Sequence, residues 1–198
     1  MRPYAGPVGR PLRLKVANGK YHVTTRGTGG VFVFLDTADR ERFLRILVHV
    51  CAQYEWACHM YCLMYSHYHL VVVTKKPNID RGMHVLNGLY TRTFNKKYER
   101  FGHLFAARYR ARLVEPGNDS RRIVRYVALN PVKSGLCERP EQWFWSSYGA
   151  TLGLRSQHPI VDDFAVLDLF GDDMDDARAA MRQFVLKKLP VPGTVQAA

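Results

Sequence analysis

The chain has 198 residues, enough for one full domain and a tail, and its 47% hydrophobic content can bury a real core. The formal net charge is +12. Residues 1–160 carry 25 Lys/Arg against 10 Asp/Glu, and residues 161–198 carry 4 against 7. No run approaches the roughly 18 apolar residues of a membrane span. The basic, proline-bearing start lacks the apolar stretch of a secretory signal. Cys51, Cys58, Cys62 and Cys137 show no paired metal-ligand spacing and read as small thiols of a reducing compartment. These features argue against membrane, secreted and cysteine-metal classes and favour a cytoplasmic protein. A basic body with 12% aromatics suits a nucleic-acid partner. Charge alone leaves open a basic protein with no such partner.

Residues 1–11 read as a basic arm. Lys20-Tyr21-His22-Val23-Thr24-Thr25-Arg26 alternates and is rich in strand formers, which predicts a first strand. Gly27-Thr28-Gly29-Gly30 is a turn, too short for a phosphate-binding loop, and Val31 to Phe34 continues extended. Asp36 or Thr37 can cap a helix through about Gln53, with Phe43, Leu44, Leu47, Val48 and Cys51 on its apolar face. Trp56–Met64 and His67–Val73 read as two strands of a hairpin, and alternation puts Cys58 and Cys62 on one face.

A second helix is expected over about Asn78–Lys97, with Met83, Leu86, Leu89, Tyr90 and Phe94 at helical spacing. Phe105–Val114 reads as a fourth strand with Arg108, Arg110 and Arg112 on one face. Asn118 or Asp119 can cap a helix through about Leu129, which Pro131 is expected to end. The aromatic segment Trp143–Tyr148 is expected to pack back on the core, and 162–186 to be helical in part. This order predicts an α+β fold: a ferredoxin-like antiparallel sheet with helices packed on one face.

His67 and His69 open the third strand two residues apart, so both point to the same side. Two imidazoles on a rigid strand can grip one divalent metal. Tyr126 and Asn130 lie one helical turn apart and share a face with Arg122. Asn130 can supply an oxygen as third ligand, and Mn²⁺ or Mg²⁺ suits such a mixed set. Tyr126 is the candidate nucleophile; with an ordinary pKa of about 10 it needs a metal, a cation or a base to react. Arg122 and Arg125 can supply positive potential. Each residue also has a structural reading: a surface histidine pair, a packed tyrosine, an asparagine before a proline. The histidines at 22, 49, 59, 84, 103 and 158 take structural roles, with a reservation for His22, whose strand can neighbour the site.

Seven ordered matches now accumulate over residues 12–150. They are Tyr21-His22-Val23-Thr24 with Arg26-Gly27; Met64 to His69; Tyr90-Thr91 with Phe94-Asn95; and Arg100 to Phe105. Arg108-Tyr109-Arg110-Ala111, Arg125-Tyr126 with Asn130-Pro131-Val132-Lys133, and Trp145-Ser146-Ser147-Tyr148 complete the set. In this the chain resembles the single-tyrosine HUH transposases, in the branch of REP-associated tyrosine transposases and their insertion-sequence relatives. It departs from their usual Met-Pro-Asn-His by having Met64-Tyr65-Ser66-His67, which alters the turn before the histidines.

The resemblance implies a catalytic domain over 12–150; residues 151–198 read by their own charge and pattern as a partly helical acidic tail. The resemblance further implies an HUH endonuclease that cuts and rejoins single-stranded or hairpin DNA through a 5′-phosphotyrosine. Tyr126 would be the nucleophile, and His67, His69 and Asn130 would hold a divalent metal. Arg108, Arg110, Arg112, Arg122, Arg125, Lys96, Lys97 and Arg100 are the candidate DNA-binding residues. Monomer and homodimer both occur in the family, and the protein would associate with the nucleoid when bound to DNA. The rival readings are a catalytically silent hairpin-DNA or RNA binding module, a water-using metal-dependent phosphodiesterase, and a structural protein with a basic face.

Overall fold

The structure is a computed structural model that describes residues 15–189; the expected arm at 1–11 lies outside the described residues. Four strands form one antiparallel sheet: β1 (Gly19–Arg26), β2 (Trp56–Leu63), β3 (His67–Thr74) and β4 (Arg110–Leu113). Their spatial order is β2-β3-β1-β4. The helices are α1 (Thr37–Tyr54), α2 (Ile79–Lys97), α3 (Asn118–Lys133), α4 (Tyr148–Thr151), α5 (Phe164–Leu167) and α6 (Met174–Leu186).

Alternation along the strands assigns the two faces. Tyr21 and Val23 of β1 and Tyr68, Leu70 and Val72 of β3 point to one side, where they join Phe43, Leu47, Met83, Leu86 and Tyr90 of α1 and α2 in one buried cluster. This is the expected ferredoxin-like layer. On the other side Met60, Cys62 and Val71 meet Ile123, Val124 and Val127 of α3, with Met181 and Val185 of α6 behind them. The helices after β4 therefore extend the expected one-sided architecture by covering part of the opposite face.

Local chemistry explains most element ends. Asp36 caps α1 by accepting from the Asp39 N–H at 2.9 Å, and the Asp39 carboxylate reaches back to the Asp36 N–H. This reciprocal pairing satisfies donors that a helix start otherwise leaves bare. Lys97 at the end of α2 donates to both Asp36 and Asp39, which ties the two helices together. The aromatic segment does pack back: Leu63 N–H donates to the Trp145 carbonyl, and Ser147 N–H to the Tyr61 carbonyl. It thereby covers the outer edge of β2, a row of groups that would otherwise be open to another chain.

Several expectations need correction. Strand β4 spans only 110–113, and the chain before it is irregular apart from a Gly27–Phe105 bridge, so Arg108 precedes the strand. Val48 is exposed; Val50 takes its place in the core. A bulge between Cys58 and Met60 switches the alternation of β2, so Cys58 and Cys62 enter different clusters. Pro131 does not end α3, which runs to Lys133. A proline so near the C-terminus forfeits one helical hydrogen bond and leaves few others to disturb. The residue before α3 is Gly117, and Asp119 binds the Glu115 N–H instead of capping the helix as a leading residue.

Candidate active site

The second face of the sheet carries the histidines. His67 and His69 lie on β3 with ring centroids 5.1 Å apart. Strand β1 pairs with β3 in a register that sets Thr24 beside His69 and His22 beside Val71. His22 thus sits diagonally from His69 on the same face. Its Nε2 lies 3.0 Å from His69 Nδ1, and the two rings stack at 5.2 Å. His67 is held in the same way by a different group: Ser66 Oγ lies 3.2 Å from its Nδ1. Both strand histidines therefore have Nδ1 engaged, which orients Nε2 as the remaining nitrogen. The altered turn before His67 supplies the serine that does this.

Helix α3 crosses above them. Tyr126 is 42% exposed, and its ring lies 5.6 Å from that of His69 and 5.5 Å from that of His22. Asn130 follows one turn later, with Nδ2 donating to the Tyr126 carbonyl at 2.9 Å. Its side chain acts on both His67 and His69 in the direction that favours their charged forms, as an acceptor oxygen does. Burial outweighs this. It lowers the pKa of His67 and holds that of His69 well below the ordinary value, helped there by the neighbouring His22 and His67. Burial, and then Arg112, lower His22 to about 4. The shifts of all three rings favour the neutral form, in which an imidazole offers a lone pair.

His69 is 3% exposed, and its Nε2 is buried with no hydrogen-bond partner. A bare polar atom in such a place costs free energy unless something fills it. A divalent cation receiving that lone pair fits the position. Among the described residues no cluster of three His, Cys, Asp or Glu side chains forms a metal site. A cation here would thus need the Asn130 amide beside His67 and His69. Two imidazoles and an amide oxygen fit a mixed nitrogen and oxygen set.

The structure divides the candidate basic residues. Arg112, Arg122 and Arg125 line the cleft beside Tyr126. Arg112, however, forms a two-point pair with Asp119 at 2.9 and 3.0 Å. Lys97 is committed to the start of α1, and Lys96 and Arg100 lie on or after α2, which packs on the far face of the sheet. Arg110 is exposed on β4, and Arg108 is exposed before it. Sequence reasoning missed Lys133, 5.3 Å above the Tyr126 ring, and Lys188. Lys133 was legible at i+7 from Tyr126; Lys188 carried no local signal.

The strand histidines thus face a helix that carries a tyrosine and an amide one turn apart. The family model described as Transposase IS200 like matches residues 15–130, and the chain belongs to that family. No curated protein matches the chain. Among solved structures it is similar to a REP-associated tyrosine transposase bound to a REP hairpin. The identity is 15% and the TM-score 0.64, over 77% of this chain and 90% of that one. At that identity the likeness supports the fold. No helix among the described residues is long and apolar enough to cross a membrane.

Proposed function

We propose that this transposase cuts and rejoins single-stranded or hairpin DNA through a covalent phosphotyrosine at Tyr126. The observation that carries the reading is the exposed Tyr126 ring facing His69, whose Nε2 is buried and bare. Tyr126 Oη attacks the scissile phosphorus and forms a P–O bond. The bond from phosphorus to the 3′ oxygen breaks, and that oxygen leaves as a hydroxyl after taking a proton from solvent. The tyrosine proton passes to solvent. The 5′ phosphate stays on Tyr126, so the phosphodiester energy is retained and a 3′ hydroxyl can reverse the step without ATP.

His67, His69 and Asn130 are the residues that would hold Mg²⁺ or Mn²⁺. When bound, the cation polarises the scissile phosphate as a Lewis acid. His22 and Ser66 keep the two imidazoles turned, and Asn130 is steadied by the Tyr126 carbonyl. Arg122 and Arg125 flank Tyr126 and attract the phosphate backbone. The hairpin-bound neighbour supports a hairpin as the preferred form of substrate.

A trapping assay tests this. Labelled single-stranded hairpin oligonucleotides from the flanks of the gene are mixed with the protein and Mn²⁺, then run on a denaturing gel. The expected result is a shifted adduct that is lost with chelator, with Tyr126→Phe and with His67→Ala. Cleavage that survives Tyr126→Phe without an adduct would replace the reading with a water-using phosphodiesterase. Hairpin binding by folded, metal-loaded protein without cleavage would leave a binding module.

A further inference from the structure

Met64-Tyr65-Ser66 joins β2 to β3 and delivers His67 to the site. It contains neither glycine nor proline, the residues that most strongly fix a turn from within. The turn is pinned from outside instead. Gly27 N–H donates to the Ser66 carbonyl at 2.8 Å, and the Val33 and Phe34 N–H groups donate to the Tyr65 carbonyl at 2.8 and 3.2 Å. These bonds tie the backbone of the turn to the connection between β1 and α1. The Tyr65 ring is placed by its neighbours.

The charged one among them is Arg40 of α1, which is 4% exposed. Its Nη1 donates to the Asp36 carbonyl at 3.1 Å, and its Nε is buried with no hydrogen-bond partner. The Asp36 and Asp39 carboxylates act on it at longer range and are bound by Lys97. Arginine stays charged inside a protein, and burying a charge is costly unless something compensates it. The compensation here is aromatic. The guanidinium carbon lies 5.0 Å from the centre of the Tyr65 ring, 5.4 Å from that of Trp145 and 5.6 Å from that of Phe34. All three are within the reach of cation–π attraction, which strengthens when water is excluded.

The three rings come from three segments. Phe34 precedes α1, Tyr65 is in the turn, and Trp145 belongs to the segment that covers β2. The Trp145 carbonyl accepts from the N–H of Leu63, the last residue of β2 before the turn. Arg40 therefore ties the turn and its β2 side to α1. The last link is local: Ser66 follows Tyr65, and Ser66 Oγ lies 3.2 Å from His67 Nδ1. A displacement of Tyr65 passes directly to the serine that orients the imidazole.

We propose that Arg40 is a positioning residue: its caged guanidinium holds Tyr65, and with it the turn that aims Ser66 at His67. Arg40 touches no reacting group. The proposal deepens the site described above, and one of its two readouts rests on that reading.

The test uses the full chain. Arg40→Met keeps an unbranched side chain and removes the charge. Replacing a buried cation by an apolar group is often neutral or stabilising for a fold, so the variant separates local positioning from overall stability. Tyr65→Leu removes the ring from the other partner at a part-exposed position, and carries the test if Arg40→Met does not fold. Amide hydrogen exchange is measured without metal. Both variants are expected to exchange about tenfold faster at Gly27 and Val33, which donate to the turn, and at Met64, which donates to the His67 carbonyl. Leu86 and Tyr90 of α2 should keep their wild-type rates. The double variant should be no faster than the faster single one, because both remove the same contact. Mn²⁺ affinity should fall by about tenfold in each, the lower end of the effect of groups that orient a ligating imidazole. Unchanged exchange at the turn, additive effects in the double variant, or equal acceleration at Leu86 and Tyr90 would overturn the proposal. A faster-exchanging turn with wild-type Mn²⁺ affinity would also overturn it, because the turn would then loosen without disturbing His67. Absence of Mn²⁺ binding in wild type would remove the metal reading, and the metal-free exchange pattern would still decide whether Arg40 holds the turn.

Discussion

His22 Nε2 lies 3.0 Å from His69 Nδ1, on a neighbouring strand 47 residues away in sequence. For His69 Nε2 to offer a lone pair, its Nδ1 must carry the proton and donate it to His22. A neighbouring acceptor that fixes tautomer and ring orientation is worth about 10–100-fold in metal affinity. His22→Ala is therefore expected to weaken Mn²⁺ binding by about that factor, measured by titration with detection of free Mn²⁺ by paramagnetic resonance. His22→Gln, which keeps an acceptor, should recover part of it. Wild-type affinity in the alanine variant would show that His22 only fills space.

The two glycines of α2, Gly82 in its first turn and Gly88 at its middle, should respond in opposite directions to alanine. A Cβ on Gly82 would lie 2.2 Å from the Trp56 ring, whose indole N–H is tied to Asn78 at 2.8 Å. The ring cannot step aside cheaply, so overpacking exceeds the gain in helix propensity. A loss of about 1–3 kcal/mol is expected in urea unfolding. A Cβ on Gly88 meets nothing within 4 Å. Gly88→Ala should gain about 0.5–1 kcal/mol. A stabilised Gly82→Ala would contradict the close approach of Trp56.

Lys97 should stabilise the protein in a pH-dependent way. Its hydrogen bond is the largest cause holding the Asp36 carboxyl below its ordinary 3.8, with the Asp39 backbone N–H adding to it. A carboxyl depressed on folding contributes stability above its unfolded value, and that contribution is lost as pH falls through the folded one. Lys97→Ala should lower the urea midpoint at pH 6–8, and the difference from wild type should shrink below about pH 4. A difference that stayed constant down to pH 2 would mean that Lys97 acts through packing alone.

Asp119 restrains the cleft by occupying Arg112. Asp119→Asn removes one negative charge from the lining and loosens the two-point pair. Exposed pairs of this kind are worth at most about 1 kcal/mol, so the fold should be retained. Single-stranded DNA should bind several-fold tighter at 50 mM salt, with less gain at higher salt. Weaker binding would show that the pair orients Arg112 for DNA.

The chain's own periodicity was enough for much of this. Alternation on His67–Val73 put the two histidines on one side, and a four-residue step put Asn130 on the face of Tyr126. The helices starting at 37 and 79 were readable from a cap and an apolar stripe. The short fourth strand was not, because Arg108 and Tyr109 continue an alternating pattern that the backbone does not follow.

What the sequence determined by itself is local: which side chains share a face, because covalent geometry sets a step of two on a strand and about four on a helix. What only the tertiary structure decided is which faces meet. The order β3-β1 brings His22 to His69, and packing of α6 brings Lys188 to Tyr126 across 62 residues. Lys97 looked like a DNA contact in a basic run, yet two carboxylates at the start of α1 engage it. Charge can be counted along a chain, but whether a cation is free for a phosphate depends on the acids that folding sets beside it.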